Sequence, residues 1–225
     1  MQSDQDARLA GAQMTTVEHL EELRRRLIIA SLALAVATLF SLFFTGRLLE
    51  FLMIPAGGIK PVFLKPTEMF VTYFKVALVG GVALAMPVFV YQLIRFIAPG
   101  LTPGEKKYLF FVLPGASLLF LCGASFAYWV VVPFALRYLL TFGGGIATAF
   151  ISIGEYISFV VTFVIWMGVV FELPMVLVFL TRLRVVSYRQ LRGYWRYALV
   201  GAFVIAAVIT PTPDPLNQTL VALPL

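Results

Sequence analysis

Long apolar stretches separated by short polar ones set the outline of the chain. Residues 27–44, 72–94, 108–132 and 156–180 are apolar runs close to the roughly 20 residues a helix needs to cross a bilayer. A fifth run, 197–209, is too short to cross a full-thickness bilayer upright. It lies where the bilayer thins, or neighbours cover its polar ends. A sixth begins near Asn217 and is still running at Leu225. The pattern predicts an all-α polytopic membrane protein with six transmembrane segments, the sixth truncated, in one domain over 15–225. Residues 1–14 are polar and rich in Gly, Ala and Gln, which predicts a disordered tail. Pro87, Pro114 and Pro174 fall inside the predicted helices. Each removes a ladder bond, and bent helices form bowls and clefts. The loops differ in length and charge pattern and carry no internal repeat, unlike transporters built from inverted repeats.

The densest charge, Val17 to Leu27, leads straight into the first apolar run. Helical spacing sets Leu20, Leu23 and Leu27 on one narrow stripe and turns Glu18, Glu22 and Arg25 away from it. Glu21 reaches Arg25 and Glu22 reaches Arg26, both at i, i+4 in the favoured acid-first order. This predicts a short amphipathic helix on the membrane surface feeding the first span. Taken alone, its arginines hold this end in the cytoplasm and its acids moderate them.

Composition narrows the class. The chain is 61% hydrophobic and 12% charged, with a mean hydropathy of +0.96. A soluble domain carries about 25% charged residues, so the bilayer is the solvent here and a globular enzyme is excluded. The net charge of +6 follows orientation: twelve of the 17 Lys and Arg fall on one side of the predicted spans and five on the other. The positive-inside rule then puts the N-terminus in the cytoplasm of a multi-pass protein of the cell membrane. The basic residues are spread over three segments and require no nucleic acid. Cys122 is the only cysteine, so no internal disulfide forms. The N-terminus lacks the apolar core and cleavage site of a removable signal peptide.

Prolines and glycines mark 46–72 as an outer loop. At its end Pro66-Thr67-Glu68 is a helix start, with Thr67 as cap and Glu68 in the first turn. Thr102-Pro103-Gly104-Glu105 has capping-box spacing, so a helix start accounts for Glu105 taken singly. Gly143-Gly144-Gly145 lacks the Lys-Ser/Thr of a phosphate loop. Pro211 to Pro215 is a tight outer connection. Glu172 is the one acid deep in an apolar run, and an intramembrane carboxyl is costly enough to point to function. The plainer account is a protonated Glu172 bonded to carbonyls freed by Pro174. Asp214 and Gln218 form a polar pair at the outer end of the sixth segment, with a helix cap as the plainer account. His19 is the only histidine and has no second metal ligand nearby. One His, one Cys and no paired intramembrane acids assemble no nucleophile and base, so neither catalysis, a metal nor a cofactor is expected. Glu22 and Glu105, both acids set among arginines and lysines at the cytoplasmic surface, together make an acceptor for a guanidinium, which binds carboxylate in a two-pronged geometry. That use requires Arg24 to Arg26 to be held aside. The competing readings are a proton-coupled small-solute transporter using Glu172 and an intramembrane scaffold with no recognition role.

The chain resembles the TatC family, the multispanning receptor subunit of the twin-arginine protein translocase. The residues that carry the likeness are His19-Leu20-Glu21-Glu22-Leu23-Arg24, Pro66 to Phe70 with Lys75, Pro87 to Gln92 through Phe96, Pro99-Gly100-Leu101, Glu105-Lys106-Lys107, Phe171-Glu172-Leu173-Pro174, and Thr210-Pro211 with Asp214 and Gln218-Thr219. They come in family order at family spacing over about 17–225. The resemblance implies six helices in a cupped arrangement. It implies a cytoplasmic site for the Arg-Arg pair of signal peptides on folded cargo, with Glu22, Glu105, His19, Leu20, Arg24 and Phe96 matching the family's motifs there. It also implies docking of small single-span Tat subunits near Glu172, Asp214 and Gln218, a homo-oligomer within the receptor complex, and transport driven by the proton-motive force without nucleotide hydrolysis. The family continues through a complete sixth helix, whereas this sequence stops at Leu225.

Overall fold

The computed structural model describes residues 16–58, 61–97, 103–141, 150–182, 186–210 and 214–225. The predicted tail, the glycines at 143–145 and the prolines at 211 and 213 lie outside them.

Helix α1 spans Thr16–Leu42. The amphipathic start and the first span are one continuous helix rather than two segments, because no Pro or Gly stands between Val17 and Leu42. The predicted outer loop 46–72 is also corrected. It contains α2, Thr45–Met53, and a 3-10 turn, Ile54–Ala56. Thr45, Leu49 and Leu52 recur at helical spacing and are the residues that α2 buries. Helix α3 then runs Pro66–Ile97 through Pro87. Helix α4, Pro103–Phe126, passes through Pro114 and continues into a π turn, Ala127–Val131, and α5, Val132–Thr141. The third apolar run was expected to end near 132. The wide turn lets the chain pass Pro133, which has no N–H for the ladder, without stopping. Helix α6 is Ile153–Arg182, α7 Tyr188–Gly193, α8 Trp195–Ile209 and α9 Pro215–Ala222.

Among the described residues four helices are long and apolar enough to cross a membrane: Val17–Leu42, Pro66–Phe96, Leu113–Thr141 and Ile153–Thr181. The fifth and sixth segments are helical but short, at 15 and 8 residues.

Small residues set the packing, as expected where lipid removes the hydrophobic drive between helices and close contact must supply the attraction. Helices α1 and α3 are antiparallel, with Arg26 opposite Gln92 and Thr38 opposite Gly81. A methyl group on Gly81 would stand 2.8 Å from the Thr38 Cα. Helices α4 and α6 are antiparallel too, with Phe120 against Gly168 and Gly123 against the Met167 carbonyl. Helices α3 and α6 run parallel, joined by Lys75 and Ser158. The core lies where these meet, around Val76, Val131, Ile157, Val160, Phe163 and Met167. Two tyrosines hold α2 to it. Tyr128 Oη donates to the Phe51 carbonyl at 2.5 Å and Tyr156 Oη to the Leu52 carbonyl at 2.8 Å. Both bonds fall on carbonyls of the last turn of α2, where a helix leaves acceptors short of partners; the Phe51 carbonyl also accepts from Ile54 N.

Candidate functional site

Two hollows lie at opposite ends of the bundle. The first, about 1040 Å3, is framed by the start of α1 and the end of α3. Glu22 faces it on α1. Of the two ion pairs that the spacing allows, the structure forms Glu22–Arg26, while Glu21 and Arg25 lie exposed. Arg26 Nε and Nη2 donate to the same oxygen, Glu22 Oε1, at 3.1 and 2.5 Å. Arg26 Nη1 donates to Gln92 Oε1 on α3 at 3.1 Å. Both partners are only 17% exposed, so this is a half-buried pair rather than a surface one. Arg26 is therefore not held aside, as guanidinium recognition by Glu22 was expected to require. It already uses one oxygen of the carboxylate. The other, Oε2, is buried and has no hydrogen-bond partner among the described residues. A bare carboxylate oxygen beside a hollow is an acceptor without a donor, an arrangement that costs free energy until a donor arrives.

His19 stacks on Phe96 with ring centroids 4.4 Å apart and planes 25° from parallel. This contact brings together two residues 77 positions apart in sequence. Leu20 and Arg24 are exposed on the same stretch of α1. Arg95 lies over the Tyr91 ring at 5.7 Å on the α3 side. Glu105 falls in the first turn of α4, but its side chain lies outside the described residues, as does the Thr102 cap. The structure thus joins Glu22, His19 and Phe96 around one corner.

Glu172 sits within α6, two residues before Pro174. Its Oε1 is buried without a hydrogen-bond partner among the described residues, so that oxygen is not bonded to a carbonyl freed by the proline. Asp214 is the N-cap of α9: it accepts from Asn217 N at 2.8 Å and from Asn217 Nδ2 at 3.0 Å. Gln218 Nε2 donates to the Phe203 carbonyl at 3.0 Å and ties α9 to α8.

The second hollow, about 790 Å3, lies between the starts of α3 and α6. Sequence reasoning missed its polar framework. The Glu68 carboxylate accepts from Leu64 N at 2.7 Å and Lys65 N at 3.3 Å on one oxygen. Its other oxygen accepts from Gly154 N at 2.7 Å and from Ser152 Oγ. Glu68, and not Thr67, therefore satisfies the backbone at this helix start, and it clamps α3 to α6. A single parallel bridge, Val62 to Ser152, completes the joint. Replacing Glu68 with Ala leaves four donors without their acceptor, so the melting temperature of the detergent-solubilised protein should fall by several degrees. Thr67→Ala should leave it unchanged in the same assay.

The profile of the family described as Sec-independent protein translocase protein (TatC) matches residues 18–224. The Sec-independent protein translocase protein TatC of Carboxydothermus hydrogenoformans is 40% identical over 214 residues, covering 94% of this chain and 88% of that protein. The Deinococcus radiodurans protein of the same name is 41% identical over 216 residues, covering 92% and 80%. A crystal structure of the twin-arginine translocase receptor TatC superposes with a TM-score of 0.83 at 39% identity, covering 92% of this chain and 94% of that one.

Proposed function

The chain belongs to the TatC family of Sec-independent protein translocase proteins, and from this premise we propose that it is the signal-receiving subunit of its translocase. It is a TatC subunit of the twin-arginine translocase and a multi-pass membrane protein. On our reading it has six spans in the cell membrane, with a cytoplasmic N-terminus and the first hollow facing the cytoplasm. That hollow receives the Arg-Arg pair of a signal peptide on folded cargo. The observation that carries this reading is the half-engaged Glu22 carboxylate: Arg26 fixes Oε1, and Oε2 is left bare beside the hollow. A visiting guanidinium completes the carboxylate with charge-assisted bonds worth about 1.5–3 kcal/mol each. The stacked His19 and Phe96 provide a flat flank for a second planar group, and the family likeness adds Glu105 as a second carboxylate. A guanidinium presents two coplanar N–H groups to that one oxygen, as Arg26 does to Oε1, and an ammonium does not, so the site prefers Arg to Lys. The test is the affinity of the purified chain for an Arg-Arg signal peptide against its Lys-Lys counterpart. Preference for Arg-Arg supports the reading, and equal affinities overturn it.

Glu172 serves docking of the small single-span subunits. Its bare buried oxygen accepts a polar group from a partner helix more cheaply than it stays alone in an apolar surround. Asp214 contributes by capping α9 and Gln218 by tying it to α8, which makes a preformed edge for that helix, and copies of this chain assemble within the receptor complex. Glu172→Ala should reduce co-purification of the single-span subunits while leaving Arg-Arg peptide affinity intact. Loss of peptide affinity with docking intact would reverse the assignment.

A further inference from the structure

The second hollow serves no part of that reading. Val71, Leu139 and Phe159 give it an apolar wall, yet Lys75 lies inside it. Helix α3 has 32 residues and is about 48 Å long, against about 30 Å of hydrocarbon. Centred on the bilayer, it projects about 9 Å at each end, which sets Lys75 about 4–5 Å inside the hydrocarbon boundary. A cation there is costly without a counter-ion. The ammonium has three N–H donors, and among the described residues one is used, to Ser158 Oγ at 2.6 Å. The Ser158 proton goes to the Gly154 carbonyl at 2.5 Å. Glu68, the acid nearest on α3, already accepts four bonds. Among the described residues no carboxylate comes within 4.0 Å of Lys75. In sequence, the stretch 142–149 that precedes α6 contains no acid.

Glu155 also lines the hollow, exposed and with no cation within 4.0 Å among the described residues. It precedes Ser158 by three residues on α6, so it stands about 4.5 Å further out along the helix. The hollow therefore offers a cation at depth, an anion one turn nearer the water, and an apolar wall alongside. A zwitterionic phospholipid presents its groups in the complementary order: chains, then phosphate, then ammonium. A primary ammonium donates hydrogen bonds to a carboxylate, which a quaternary one cannot do.

We propose that the hollow between the starts of α3 and α6 binds a phospholipid with a primary-amine headgroup, Lys75 holding its phosphate and Glu155 its ammonium. The test is native mass spectrometry of the full chain in detergent, titrated with phosphatidylethanolamine, phosphatidylcholine, phosphatidylglycerol and inorganic phosphate. Phosphatidylethanolamine should be retained at least about tenfold better than the other two lipids, the weight of one such bond. Lys75→Gln should abolish retention, Lys75→Arg should keep it, and Glu155→Gln should erase the headgroup preference while lipid still binds. Thermal melts report whether each variant folds. Should Lys75→Gln fail to fold, the exposed Glu155→Gln decides alone. Equal retention of the three lipids, retention by folded Lys75→Gln, or occupancy by inorganic phosphate in place of lipid overturns the proposal.

Discussion

Glu22→Gln should lower the affinity for an Arg-Arg signal peptide by about ten- to a hundredfold, the loss expected when charge-assisted bonds of about 1.5–3 kcal/mol become neutral ones. The substitution keeps the shape of the side chain and removes its charge. Two guanidinium groups depend on that charge, Arg26 from within the chain and the visitor from outside. Peptide binding by fluorescence anisotropy measures the loss, and a thermal melt reports what the broken Arg26 pair does to folding. The melt should fall somewhat, because the half-buried Arg26 loses its counter-ion although it keeps its bond to Gln92, so affinity is compared below the transition of the variant. Unchanged peptide affinity in folded Glu22→Gln would reduce the carboxylate to a partner of Arg26 alone.

The second large effect concerns packing. Gly123 lies so close to α6 that an added Cβ would collide with the Met167 carbonyl and stand 2.8 Å from the Phe171 ring. A carbonyl inside a helix cannot rotate away as a side chain does. Gly123→Val should therefore force α4 and α6 apart, destabilising the protein by at least about 3 kcal/mol, the upper range for overpacking. A lowered thermal transition and loss of monodisperse protein on size exclusion would register it. Gly201 in α8 has nothing within 4 Å of its would-be Cβ, so Gly201→Ala should be neutral or stabilising by up to about 1 kcal/mol through helix propensity. Equal behaviour of the two variants would refute the close approach of α4 and α6.

What could be read from the sequence was local. The Glu22–Arg26 pair follows from i, i+4 spacing, and the long apolar runs follow from hydropathy. Asp214 as a cap was legible because its partner is three residues away. Contacts that depend on how one helix slides against another were not. Arg26 with Gln92, Lys75 with Ser158, and Ser152 with Glu68 span 66, 83 and 84 residues. Each needs a helix register that no single apolar stripe fixes, since these helices are apolar nearly all round. Helix α2 was hidden for another reason. The prolines and glycines that follow it at 55–66 marked the whole stretch as loop, although Thr45, Leu49 and Leu52 repeat as a helix does. The likeness of motifs placed His19 and Phe96 in one site, and the stacked rings supply the physical contact behind it.

The most direct measurement is photocrosslinking in intact membranes from a probe at Leu20, which is 64% exposed on the stretch of α1 whose acids and arginines line the first hollow. A second probe at Phe63, 67% exposed at the opposite end of the bundle, is the reference. An Arg-Arg signal peptide should crosslink from position 20, its Lys-Lys counterpart should not, and neither should crosslink from position 63. Equal crosslinking of the two peptides at position 20, or capture only at position 63, would contradict guanidinium recognition by the Glu22 corner.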